Sequence, residues 1–194
     1  MLTAASKQSG LQTTIIRSGQ IAGSRSSGSW NSNEWLPSII RSADSLNCLP
    51  NGNDDVAWLP VDIAARVVLD LSASEGVFSL VHPNPTSWNT IMSAAAAHIH
   101  VPLVSYDQWL EELNQIESST KEEDLINAMN NTPALKLKQF FSNSTVSDER
   151  RDYVEALGNP RLSTKRSCKV SETLRNCEQL DEDDVLKWIT YWKL

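Results

Sequence analysis

Apolar positions along the chain follow two periods. A β-branched run, QTTIIRSG (residues 12–19), reads as a strand that opens into a glycine- and serine-rich loop over residues 17–31. Helical spacing governs much of the rest. Leu36, Ile39, Ile40 and Ala43 share one face of a helix over NEWLPSIIRSADSL, where Pro37 is tolerated only in a first turn. WLPVDIAARVVLDLSASEG reads as a short extended lead, then a helix with Asp62 as its cap and Gly76 just past its end. VFSLVHP is a strand that breaks at Pro83. TSWNTIMSAAAAHI is a helix capped by Thr86 or Ser87, VPLVSY a short strand, and Asp107 opens the amphipathic helix DQWLEELNQIES.

Polar joints at SSTKEED and SNSTVSDERRD then separate helical segments around Leu125–Met129 and Ala134–Phe141. The last helix, DEDDVLKWITYWKL, has an acidic first turn and a lysine near its end, both favourable to its dipole. At the other end, MLTAASKQS reads as helix running out at Gly10. The order strand–helix–strand–helix followed by helices predicts a single α/β domain over residues 1–194. Its α/β part covers 1–116, and a helical cap and tail cover 117–194.

Bulk properties narrow the chemistry. A length of 194 residues suits one domain, and a net charge of −7 argues against a nucleic-acid footprint. The basic stretch Arg161–Lys169 reads as a solvated loop. Cys48, Cys168 and Cys177 form no C-x-x-C and leave an odd thiol, a pattern that suits a reducing compartment. With no long apolar stretch at its start, the chain is expected to be cytoplasmic, without a membrane anchor.

Familiar catalytic patterns are missing. Gly23 and Gly28 have P-loop separation, but Ser29 and Trp30 stand where lysine and a hydroxyl are required. Gly19, Gly23 and Gly28 are spaced wrongly for a dinucleotide fingerprint. His98 and His100 have no companion ligands, so no metal site is expected. His82 reads as a hydrogen-bonded structural histidine, and no G-x-S-x-G elbow occurs.

Several stretches in order carry a resemblance: TTIIRSGQIAGSRSSGSWNSNEWLPSIIRSADSLNCLP, WLPVDIAARVVLDL, LVHPNPTSWNTI, SYDQWLEEL, and the tail NPRLSTKRS, SETL and DVLKWITYW. Together they resemble the C-terminal part of thioester reductase domains. These are extended short-chain dehydrogenase/reductases found in fungal adenylate-forming, aminoadipate-reductase-like and non-ribosomal-synthetase-like reductases. The resemblance implies a partial Rossmann-like sheet followed by a mostly helical substrate-capping subdomain. It also implies an NADPH-dependent reductase that releases acyl groups, held as thioesters on the phosphopantetheine arm of a carrier domain, as aldehydes.

Ser18, Gly19, Gln20 and Ile21 would then face the nicotinamide, largely through backbone, with glycine permitting close approach and positive φ. Gly23, Trp30 and Asn31 would lie on the substrate side, an indole packing on the arm or acyl chain and an amide orienting a carbonyl. The family's glycine-rich turn and Tyr-x-x-x-Lys pair have no match: Tyr106 and Tyr153 are followed four places on by leucines, and Tyr191 by the chain's end. The resemblance therefore implies a C-terminal fragment without catalytic residues, inactive alone and binding NADPH weakly or not at all. The alternative is a stand-alone, non-catalytic α/β interaction module. A weaker reading, a fragment acting on nucleotide-linked or steroid-like substrates, fits the GSWNSNEWLP lining poorly.

Overall fold

The computed structural model describes residues 2–144 and 154–194, so most of the joint expected over residues 142–152 lies outside the described residues. Helix α1 (Leu2–Ser9) stops at Gly10, whose φ of +69° is the left-handed value that ends helices. Strand β1 (Thr14–Ser18) follows. The chain then passes through short β2 (Ile21–Ala22), the loop, α2 (Trp35–Arg41) and α3 (Ala43–Leu46). Pro37 falls in the first turn of α2, where its missing N–H costs nothing.

Three two-residue strands, β3 (Leu49–Pro50), β4 (Asp55–Val56) and β5 (Leu59–Pro60), lead to α4 (Val61–Ser72). Strand β6 (Gly76–Leu80) pairs in parallel with the whole of β1, Thr14 opposite Gly76 and Ser18 opposite Leu80. Short β7 (Thr86–Ser87), α5 (Trp88–Ile99), β8 (Leu103–Val104) and α6 (Tyr106–Ser119) complete this part. The pairs β2–β5 and β3–β8 are also parallel, while β4–β7 is antiparallel. Beyond them lie α7 (Leu125–Asn131), α8 (Lys138–Asn143), α9 (Lys165–Val170), α10 (Glu172–Arg175) and α11 (Glu182–Trp192). The α/β order read from periodicity holds.

Two caps differ from expectation. Asp62 does not cap α4: Pro60 takes the cap position, and the Asp62 carboxylate accepts the backbone N–H of Arg25 at 3.1 Å. Ser105, not Asp107, caps α6 by accepting from the Gln108 N–H. Ser87 caps α5 as expected, and α11 starts with a reciprocal box between Asp181 and Asp184. Gly76 is not the end of α4 but the first residue of β6.

The stretch read as a solvated basic loop is largely α9, and it closes a sheet edge. The Ser167 hydroxyl donates to the Ser79 carbonyl at 2.7 Å and accepts the Ser79 N–H at 2.9 Å. A single side chain thus stands in for a neighbouring strand beside β6. Arg166 lies over the Phe78 ring, 5.1 Å from its centroid, and donates to the Glu75 carbonyl.

One apolar cluster joins α4 and α10 to the β1–β6 pair through Val67, Leu71, Phe78, Leu80 and Leu174. The larger one gathers α2, α5, α6 and α11 around tryptophans. Trp30 meets Trp58 at 6.1 Å and Trp188 at 4.9 Å, both edge-on, while Trp35 stacks on Trp88 at 6.2 Å. Each such pair adds about 0.5–1.5 kcal/mol beyond its buried area. Among the described residues no helix is long and apolar enough to cross a membrane.

Candidate functional site

The site opens where the first long strand changes partners. Gly19 N–H still bonds the Leu80 carbonyl of β6 at 3.1 Å, but one residue later Gln20 C=O accepts from Leu59 N–H, beside β5, at 3.1 Å. Strands that part at their carboxyl ends leave a crevice, the usual position of ligands in parallel α/β sheets. A pocket of about 350 Å³ lies here, lined by Gly19, Gln20, Ile21, Trp30, Asn31 and Glu34, with Ala22, Ser29 and Val61 completing the wall.

The fold therefore brings together five of the seven residues singled out in the sequence. Gly19, Gln20 and Ile21 meet Trp30 and Asn31 across one cavity. Ser18 and Gly23 do not line it. Ser18 is exposed and its hydroxyl donates to the Gly19 carbonyl at 2.9 Å. A Cβ on Gly23 would lie 2.6 Å from Cδ1 of Trp188, so glycine is needed there for α11 to pack. Gly19 has no positive φ, contrary to expectation; a side chain on it would run into Val81.

A residue that the sequence did not single out organises the pocket. Glu34 occupies the N-cap position of α2, yet its side chain caps nothing. Its Oε2 instead accepts the Trp30 indole N–H at 2.9 Å and the Gln20 amide N–H at 3.1 Å. The Gln20 Oε1 in turn accepts from the Trp35 indole at 2.7 Å. Glutamate is an unusual choice for a helix cap, and that was the available signal that its carboxylate serves elsewhere. Asn31 Oδ1 accepts the Asn33 N–H at 3.1 Å, which holds the turn into α2, and the Asn31 N–H₂ has no partner among the described residues.

The loop between these walls is anchored from behind. Arg25 reaches the Asp184 carboxylate at 3.0 Å and Glu178 at 3.3 Å. Burial pushes the Asp184 carboxyl above its ordinary range, with Arg25 acting against that. Gly28, at φ +69°, lies against the backbone of Lys187, where any Cβ would collide.

Cys177 and His82 approach to 3.3 Å but do not form a nucleophilic pair. His82 Nδ1 accepts the Asn84 N–H at 3.1 Å, so its Nε2 carries the proton and donates to the Glu178 carbonyl at 2.8 Å. No lone pair is left to receive a thiol proton. Burial pushes the Cys177 thiol up to about 11 and the His82 imidazole down, both towards neutral groups. His82 is the hydrogen-bonded structural histidine that the sequence predicted.

Any nicotinamide dinucleotide has a neutral carboxamide end and an anionic pyrophosphate, and this pocket suits them differently. Its lining includes polar amides and one carboxylate, but no basic side chain. It can face a carboxamide; it does not fit phosphates. Among the described residues no group of three or more metal-ligating side chains occurs.

Comparison with known proteins gives the lineage. The family profile described as NAD_binding_4, male sterility protein, matches residues 1–68. The adenylate-forming reductase Nps10 of Heterobasidion annosum is 36% identical over 198 aligned positions, which take in 100% of this chain and 18% of the relative. The terminal R domain from the myxalamid PKS-NRPS biosynthetic pathway superposes with a TM-score of 0.67 at 22% identity, over 97% of this chain and 46% of that one. A thiolation-reductase di-domain from an archaeal non-ribosomal peptide synthetase gives 0.64 at 18% identity, over 99% and 38%. These superpositions show a Rossmann-like α/β fold, of which this chain carries part. The chain spans about a fifth of the curated relative and less than half of each solved domain.

Proposed function

The chain belongs to the adenylate-forming and thioester reductase family, and we propose that it supplies the substrate-facing part of a domain that reduces carrier-bound acyl thioesters to aldehydes. NADPH, when bound to an intact domain, supplies the hydride. In this reading Gly19, Gln20 and Ile21 form the floor beside the nicotinamide carboxamide, while Trp30 and Asn31 form the wall along the acyl-bearing arm. The observation that carries it is the shared cavity: residues assigned to opposite sides of a hydride transfer line one pocket at the end of β1. Apart from the Glu34 carboxylate the pocket holds no ionisable side chain, and the chain has no Tyr-x-x-x-Lys pair, so the chain alone is expected to be inactive.

A specific observation supports a second reading, the stand-alone interaction module. Ser167 closes the outer edge of β6, and Arg25 ties the loop to α11, which makes this part of the fold self-contained. Among the described residues, β1 nonetheless pairs along one edge alone.

The two readings separate on reconstitution. The chain would be co-expressed with the glycine-rich, Tyr-x-x-x-Lys-bearing part of a relative, and NADPH oxidation measured with a carrier-bound thioester. The reductase reading expects turnover only with both parts present. It also expects Trp30→Phe, which removes the indole N–H from Glu34, to lower kcat/KM roughly ten- to a hundredfold while NADPH affinity holds. A soluble complex of the two parts without turnover would favour the module.

A further inference from the structure

Glu34 is the one ionisable side chain lining the pocket at the end of β1. Its negative charge has no ion-pair partner among the described residues, and the two donors that those residues supply, the Trp30 indole and the Gln20 amide, are neutral. Both bond Oε2, and none of the described residues donates to Oε1. Across the same cavity Asn31 accepts the Asn33 N–H with its Oδ1, and its amide N–H₂, without a partner among the described residues, can meet a ligand. Arg25, the cation of the neighbouring loop, is held away by Asp184 and Glu178.

The Glu34 Oε1 and the Asn31 N–H₂ thus stand in this pocket as an acceptor and a donor, beside an uncompensated negative charge. A secondary amide presents the complementary pair, an N–H for Glu34 and a C=O for Asn31. A carboxylate or phosphate presents acceptors only and is repelled. We propose that Glu34 makes this pocket selective for a neutral, amide-bearing chain and rejects anionic ligands. The proposal rests on the reading of the cavity as the wall along the carrier's arm, and it adds which chemistry that wall accepts. Glu34 is thereby a specificity-determining residue, and an acyl chain ending in a free carboxylate is a poor occupant. A cavity of about 350 Å³ suits a short chain segment.

The test uses the 194-residue chain and two matched probes: pantothenate, and its N-methylamide, which replaces the carboxylate by a second amide. Trp30 bonds Glu34 directly, so ligand entry is read by tryptophan emission at low ionic strength. The expected result is saturable binding of the amide, with pantothenate at least about tenfold weaker. In Glu34→Gln, which keeps an acceptor for Trp30 and removes the charge, the gap should fall to about twofold or less.

In the unaltered chain, raising salt to about 1 M should also narrow the gap, because this repulsion is screened. Equal affinities for both probes, or a gap that survives Glu34→Gln in a variant of unchanged circular dichroism, overturns the selectivity while leaving the arm-wall reading standing. If that variant fails to fold, a gap insensitive to salt overturns it instead. Failure of both probes to bind removes the arm-wall reading, and the selectivity with it.

Discussion

Arg25 and Asp184 form an ion pair at 3.0 Å across 159 residues of chain, with side chains 19% and 4% exposed. The pair fastens the loop behind the pocket to the last helix, and Asp184 also closes the capping box of that helix. Removing the cation would leave a buried carboxylate without its partner, the costly way to break such a pair. Arg25→Ala is expected to cost about 3 kcal/mol. That corresponds to a fall in Tm of roughly 6–12 °C for a chain of this size. Adding Asp184→Asn should recover part of the loss, and thermal unfolding of the single and double variants would show it.

Gly19 tests packing and ligand approach separately. A methyl at this position meets Val81 before it meets the cavity. Gly19→Ala is therefore expected to cost about 1–3 kcal/mol from overpacking, lowering Tm by roughly 2–12 °C with no ligand present. Adding Val81→Ala should restore most of it. A Gly19→Ala chain that melts normally would return the glycine's role to the ligand side.

Glu155 predicts a pH dependence. Its Oε2 accepts the Ala57 N–H at 2.9 Å, and burial raises its carboxyl above the ordinary glutamate range. A raised value in the folded state means that the folded chain holds its proton longer than the unfolded one. The stability due to this group therefore falls as pH rises from about 4, through the folded value, and then levels. Glu155→Gln keeps the acceptor and removes the ionisation. Its Tm relative to the unaltered chain should rise with pH across that window. A relative Tm that declines with pH would reverse the sign.

The main elements were legible because their signals are local. Gly10 and Ser87 mark helix ends, the β-branched Thr14–Ile16 a strand, and the Leu36, Ile39, Ile40 and Ala43 spacing the buried face of α2 and α3. Helices α9 and α10 were not legible. They bury few side chains, and Ser167 earns its place by bonding a strand 88 residues away. Asp62 was misread for a related reason: its carboxylate has the composition of a cap, but folding brings the Arg25 N–H to it first.

The site was half visible. Resemblance located the loop, and the fold then showed that Gly23 and Gly28 serve the packing of α11 while Gly19 makes room for Val81. Glu34 escaped notice because its importance comes from Gln20 and Trp30 converging on it, which no spacing along the chain announces.

The central claim is that this chain has the substrate-facing wall of the reductase pocket and not the phosphate cradle. Calorimetric titration of NADPH into the 194-residue chain tests it most directly. The account predicts no saturable heat through the micromolar range, because the lining of the pocket has a carboxylate and no basic side chain. A micromolar Kd with one-to-one stoichiometry would contradict it.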